Sequence, residues 1–85
     1  MKLIMNDGTE INNAEAFVNS GVLWVYIYSQ MTFAKAFGIL NSQAKTRIIR
    51  AVNGATTTFT GYTNLFCLRK EDDGSISAGL KKVVG

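Results

Sequence analysis

Few residues in this chain could do chemistry. They are one cysteine, Cys67, the acidic run Glu71-Asp72-Asp73, the scattered acids Asp7, Glu10 and Glu15, and the bases Lys45, Arg47, Arg50, Arg69 and Lys70. There is no histidine. Its absence removes the commonest general base, any Ser-His or Cys-His nucleophile pair and the usual zinc sites. Cys67 stands between Phe66 and Leu68, neighbours that suit a buried, inert thiol, whereas a reactive thiol needs a nearby base to lower its pKa. Three consecutive acids before Gly74 read as a solvated turn, and a calcium loop needs a longer ligand spacing. The glycines stand singly, with no GxGxxG and no GxxxxGK[ST] phosphate loop. This residue set predicts no enzyme, no metal and no cofactor.

Binding chemistry is better represented. Lys45, Arg47, Arg50, Arg69 and Lys70 lie in a span without an acid, and Phe59, Tyr62 and Phe66 are near them in sequence. Bases beside exposed aromatics on a sheet are how single-stranded nucleic acid is held, so these five are candidate contacts for an anionic partner. No RNP or KH motif accompanies them, and an ordinary solvated face is the plainer reading. Trp24, Tyr26 and Tyr28 alternate along one strand, opposite Leu23, Val25 and Ile27. Aromatic residues of this kind dominate protein hot spots, which makes Trp24, Tyr26 and Tyr28 a candidate protein interface. The alternative is that the sheet curls and buries them, and the two readings stand level.

These residues need strands to position them. Val22-Leu23-Trp24-Val25-Tyr26-Ile27-Tyr28 is an unbroken apolar run after Asn19-Ser20-Gly21 and reads as the central strand. Before it, Lys2-Leu3-Ile4-Met5 and Glu10-Ile11-Asn12 flank Asp7-Gly8, a hairpin signal. Residues Asn12 to Val18 fit an irregular strand or a helical turn. After it, Thr32 to Asn41 reads as a helix, with Thr32 as N-cap and Phe33, Ala36, Phe37 and Leu40 on one face. Phe33, Phe37 and Leu40 are expected to meet Leu23, Val25 and Ile27, with Gly38 allowing a close approach to the sheet. From Lys45 the pattern is all strand. Thr46 to Val52 turns at Asn53-Gly54 into Ala55 to Thr60, and Gly61 marks a bulge or bend. Tyr62 to Lys70 follows, with Tyr62, Phe66 and Leu68 on one face and Leu65 and Cys67 on the other. Ser75 to Lys82 closes the sheet, with Ile76, Ala78 and Leu80 alternating inward. The prediction is an α+β fold, β-β-β-α-β-β-β-β, with a mostly antiparallel, curled β-sheet and one helix packed on it.

Size and composition set the frame. The 85 residues make one domain, residues 1–85, and nine of them are Phe, Tyr or Trp, enough for one compact core. A lone cysteine forms no internal disulfide, which points to a reducing compartment. No signal peptide is visible, and the longest apolar run of seven residues falls far short of the ~20 a membrane helix needs. A soluble protein with no membrane partner is expected. The net charge of +3 is uneven, with two bases and three acids up to Ser42 and seven bases and three acids beyond it. Such a bias permits an anionic partner without requiring one.

The opening Met1 to Ile11, with its Asn6-Asp7-Gly8-Thr9 turn, resembles the start of many small phage and prophage proteins. The Thr32-Phe33…Ala36-Phe37 helix, the Gly61-Tyr62-Thr63 segment and the closing Asp73-Gly74-Ser75-Ile76 strand fit the same order of elements. The resemblance implies a non-enzymatic virion structural or accessory role, often from the tail or baseplate gene region, in the virion or the cytoplasm of a bacterial host. The implied partner is another protein, or a second copy of the chain in a homo-oligomer. Small phage-encoded inhibitors of host defence enzymes (anti-CRISPR-like) are the neighbouring alternative, and a small basic nucleic-acid-binding domain is the third.

Overall fold

The chain divides its strands between two sheets. The structure, a computed structural model, describes residues 1–42 and 47–82. The elements in order are β1 (Lys2–Met5), β2 (Glu10–Asn12), β3 (Ala14–Asn19), β4 (Val22–Ile27), α1 (Phe33–Ser42), β5 (Arg47–Val52), β6 (Ala55–Thr60), β7 (Asn64–Lys70) and β8 (Ile76–Lys81). Strands run in the orders β2-β1-β5-β6 and β3-β4-β8-β7, and every pairing is antiparallel.

The α+β class is therefore present, with one helix among the described residues, but not the single curled sheet. Two four-stranded sheets take its place, and neither is strongly curled. The switch occurs at Asn13, the single residue between β2 and β3, whose φ of 54° is left-handed. Asparagine tolerates that region better than most residues. Its N–H donates to Met1 O at 2.9 Å and its carbonyl accepts from Tyr28 N–H at 2.9 Å, so the corner is bonded to both sheets. The ambiguous segment from Asn12 to Val18 thus resolves as strand, with Ala14 and Ala16 buried and Phe17 and Val18 exposed.

Strand turns follow local chemistry. Asn53-Gly54 has φ of 51° and 84°, and Ser20-Gly21 has 54° and 76°, the paired positive values of a type I′ hairpin. Asp7 Oδ1 accepts from Thr9 N–H and Asp73 Oδ1 from Ser75 N–H, both at 2.9 Å. The side-chain hydroxyls of Thr9 and Ser75, and then these N–H groups, favour the ionised acids, so both carboxyls sit below the usual carboxylate range.

Both sheets feed one core. Leu3, Met5, Ile11 and Ile48 come from the first sheet, and Ala14, Ala16, Leu23, Val25, Ile27, Ile76, Ala78 and Leu80 from the second. Ala36 and Leu40 join them from α1. The expected pairing of Leu23, Val25 and Ile27 with Phe33 and Phe37 does not occur, because both Phe side chains are 46% exposed. The reason is the second sheet's partner. The first sheet contributes to the same core, so α1 lies against β7 and, among its described side chains, buries Ala36 and Leu40, flanked by Met31 and Ile39. Gly38 is exposed and a Cβ there would meet nothing within 4 Å, so it mediates no close approach. Thr32 does cap α1, its Oγ1 accepting from Lys35 N–H at 3.2 Å.

The alternation expected from Tyr62 to Lys70 also fails. A bulge between Leu65 and Cys67 resets the register, so Leu65 and Leu68 both pack on the core while Phe66 points away. Gly61, with φ of 83°, is the bend between β6 and β7. No described helix is long and apolar enough to cross a membrane.

Candidate functional site

The second sheet turns an aromatic face away from the core. Register places Phe17 of β3, Trp24 of β4 and Gly79 of β8 in one row, and Glu15, Tyr26 and Ser77 in the next. Side chains directly opposite one another in an antiparallel pair share a face. Leu23, Val25 and Ile27 point inward, so Trp24 and Tyr26 point outward, and Tyr28 lies just past the strand end.

The rings contact one another. Phe17 and Tyr26 stack at 5.8 Å between centroids and 15° between planes, and Tyr26 and Tyr28 at 6.5 Å and 11°. Trp24 meets Phe66 of β7 edge-on at 6.0 Å and 67°. That contact crosses β8 at Gly79. A Cβ on Gly79 would come within 2.9 Å of Phe66 Cζ and 3.0 Å of Trp24 Cζ3, so only glycine lets the rings close over the strand. The Lys81 ammonium stands 4.5 Å from the Phe66 ring centroid, within cation–π range.

Core and interface are therefore not the two alternatives for Trp24, Tyr26 and Tyr28. Trp24 and Tyr26 are half-buried by their neighbouring rings, while Phe17, Tyr28 and Phe66 are 41%, 49% and 45% exposed. Reading the sequence missed Phe17 and Phe66 as members of this surface. Phe17 lay in the ambiguous segment, and the β7 bulge decides where Phe66 points. The alternation Glu15, Phe17, Asn19 was the available signal for Phe17.

The bases are dispersed. Arg47 and Arg50 belong to β5 in the first sheet, Arg69 and Lys70 to β7 in the second, and Lys45 lies outside the described residues. Arg47, Arg69 and Lys70 are exposed, and Arg69 Nε is 3.7 Å from Glu71 Oε1. Arg50 is engaged. Its Nε donates to Glu15 Oε1 and its Nη2 to Glu15 Oε2 at 3.0 Å, a bidentate pair with side chains 31% and 22% exposed. The Arg50 hydrogen bonds hold the Glu15 carboxyl below the usual carboxylate range. This pair sits in an open cleft of about 360 Å³ between the two sheets, lined by Glu15 to Val18 of β3 and by Arg50, Thr57 and Phe59.

Among the described residues no three His, Cys, Asp or Glu side chains gather to hold a metal ion. Glu71, in the acidic turn, accepts from Ser77 Oγ at 3.1 Å, and Cys67 is half-buried. The rings of this face stack and cover one another, and the Arg50–Glu15 pair stands beside them. Compared with family models, curated proteins and solved structures, the chain matches none.

Proposed function

We propose that this chain is a non-enzymatic protein-binding module of the virion-structural or accessory kind carried by phages and prophages. The single observation that carries the binding role is the outward aromatic surface of Phe17, Trp24, Tyr26, Tyr28 and Phe66 on a sheet whose other face is core. Contiguous exposed apolar surface on a small protein marks interaction sites, and Trp and Tyr are the residues that anchor them. Mutual stacking holds these rings in place, so little side-chain entropy remains to be lost on docking. The phage setting rests on the resemblance of the Asn6-Asp7-Gly8-Thr9 opening and of the order of elements to that group.

The test is affinity capture from bacterial lysates with and without phage infection, comparing the native chain with a Phe17→Ser/Tyr28→Ser variant. A protein held by the native chain and lost from the variant, with the variant still folded by circular dichroism, is the expected result. Equal capture by both overturns the reading.

Lys81 over Phe66 favours a second reading, in which the same face stacks the bases of single-stranded nucleic acid. Trp24 is the chain's only tryptophan, so its emission reports on this face directly. Titration with single-stranded oligonucleotides at two salt concentrations separates the readings. Quenching that weakens with salt supports nucleic acid, and no quenching even at low salt removes it.

A further inference from the structure

The two sheets have four edge strands, and three of them carry a feature that opposes further pairing. Strand β2 has only three residues, and its Glu10 is paired with Lys2 at 2.9 Å. Strand β7 carries a bulge, the charges of Arg69 and Lys70, and α1 beside it. On β3 the Ala16 N–H is taken by the Glu15 carboxylate at 2.9 Å, and that carboxylate is held by Arg50. Short length, bulges and charge are the usual protections of a sheet edge.

Strand β6 has none of them. Ala55-Thr56-Thr57-Thr58-Phe59-Thr60 is six residues long, uncharged, without proline and in unbroken register with β5. The two-residue Asn53-Gly54 turn makes Val52 and Ala55 a hydrogen-bonded pair, so Ala55, Thr57 and Phe59 direct their backbone groups to β5. The N–H and C=O groups of Thr56, Thr58 and Thr60 then face outward, and no hydrogen bond engages them among the described residues.

We infer that β6 is a self-association edge, on which a second copy of this chain pairs antiparallel with Thr58 opposite its own counterpart. The register that uses the whole strand sets Thr56 against Thr60 and Thr58 against Thr58 on the outer face. On the cleft face it sets Thr57 against Phe59. Because the outward-facing positions are all threonine, the strand reads the same in either direction. Every outer pair is Thr–Thr, a favourable cross-strand pair, and no charge meets a like charge, although the chain carries a net +3. A foreign peptide is not needed to satisfy this edge. Pairing would join two first sheets into one and leave the aromatic faces free, so it does not depend on the proposed docking role.

Sedimentation equilibrium over a range of concentrations provides the test, together with amide exchange. The native mass is expected to rise from 9.3 kDa towards twice that value. The amides of Thr56, Thr58 and Thr60 are expected to exchange more slowly as concentration rises. Thr58→Pro removes an N–H that points at the partner and not at β5, and Thr58→Lys opposes two cations at the axis. Both should weaken dimerisation at least tenfold with little change in melting temperature. A 9.3 kDa mass up to millimolar concentration overturns the inference, and so does concentration-independent exchange at Thr58. A dimer that survives both Thr58 variants but is lost in Phe17→Ser/Tyr28→Ser also overturns it, by moving the contact to the aromatic face.

Discussion

The guanidinium of Arg50 in β5 grips the carboxylate of Glu15 in β3, a side-chain clasp between the two sheets. Arg50 is aligned with Leu3, which faces the core, yet its head reaches the cleft where the sheets part. The sign of its pH dependence follows from Glu15. Its carboxyl pKa is lower in the folded chain than in the unfolded one, so the clasp stabilises fully above the unfolded value and is lost as pH falls through the folded one. Glu15→Gln should lower the melting temperature by a few degrees at neutral pH. The difference from the native chain should shrink on acidification, and thermal melts across an acid series check it. A constant difference would show that the pair's charge is irrelevant.

Gly79 tests the aromatic face. In Gly79→Ala the new methyl would strike Phe66 and Trp24. Overpacking typically costs ~1–3 kcal/mol, and Phe66, half exposed, is free to swing aside, which places the cost at about 1 kcal/mol. The Trp24–Phe66 contact should open, and a red shift of tryptophan emission with a small loss of stability is the expected signature. Unchanged emission would mean that the contact is absent in solution.

The helix contrasts one buried and two exposed residues of a single apolar stripe. Leu40→Ala, at a site 1% exposed, should cost ~2–5 kcal/mol. Phe33→Ser and Phe37→Ser, at exposed sites, should each change stability by less than about 0.5 kcal/mol. Urea denaturation reads both. Large losses at the Phe positions would place them in the core after all.

The same logic separates the faces of β4. Leu23→Ala should cost ~2–5 kcal/mol, whereas Tyr28→Ser, which gives up one exposed stacked pair, should cost only ~0.5–1.5 kcal/mol. Comparable losses at the two positions would contradict the exposure of the aromatic row.

Local chemistry made much of this fold legible. The positive φ at Asn53-Gly54, the Thr32 cap and the inward alternation of Leu23, Val25 and Ile27 are each decided within a few residues. The buried part of the helix face is not legible in the sequence, for a definite reason. The stripe of Phe33, Ala36, Phe37 and Leu40 is a true apolar face, but how much of it is buried depends on what else covers the sheet. The candidate site was half legible. Trp24, Tyr26 and Tyr28 follow from strand period, whereas Phe17 and Phe66 reach the same surface from strands paired across hairpin and bulge.

By itself, then, the sequence determined the elements: antiparallel strands joined by tight turns, one capped helix, and a residue set without histidine. Hydrogen-bonded turns and side-chain period are short-range, and they leave their mark in neighbouring residues. Tertiary structure alone decided that the strands form two sheets, that Arg50 is spent on Glu15, and that Gly79 makes room for Trp24 and Phe66. These depend on pairings between distant segments, chosen by which apolar faces bury each other, and no local pattern encodes that choice.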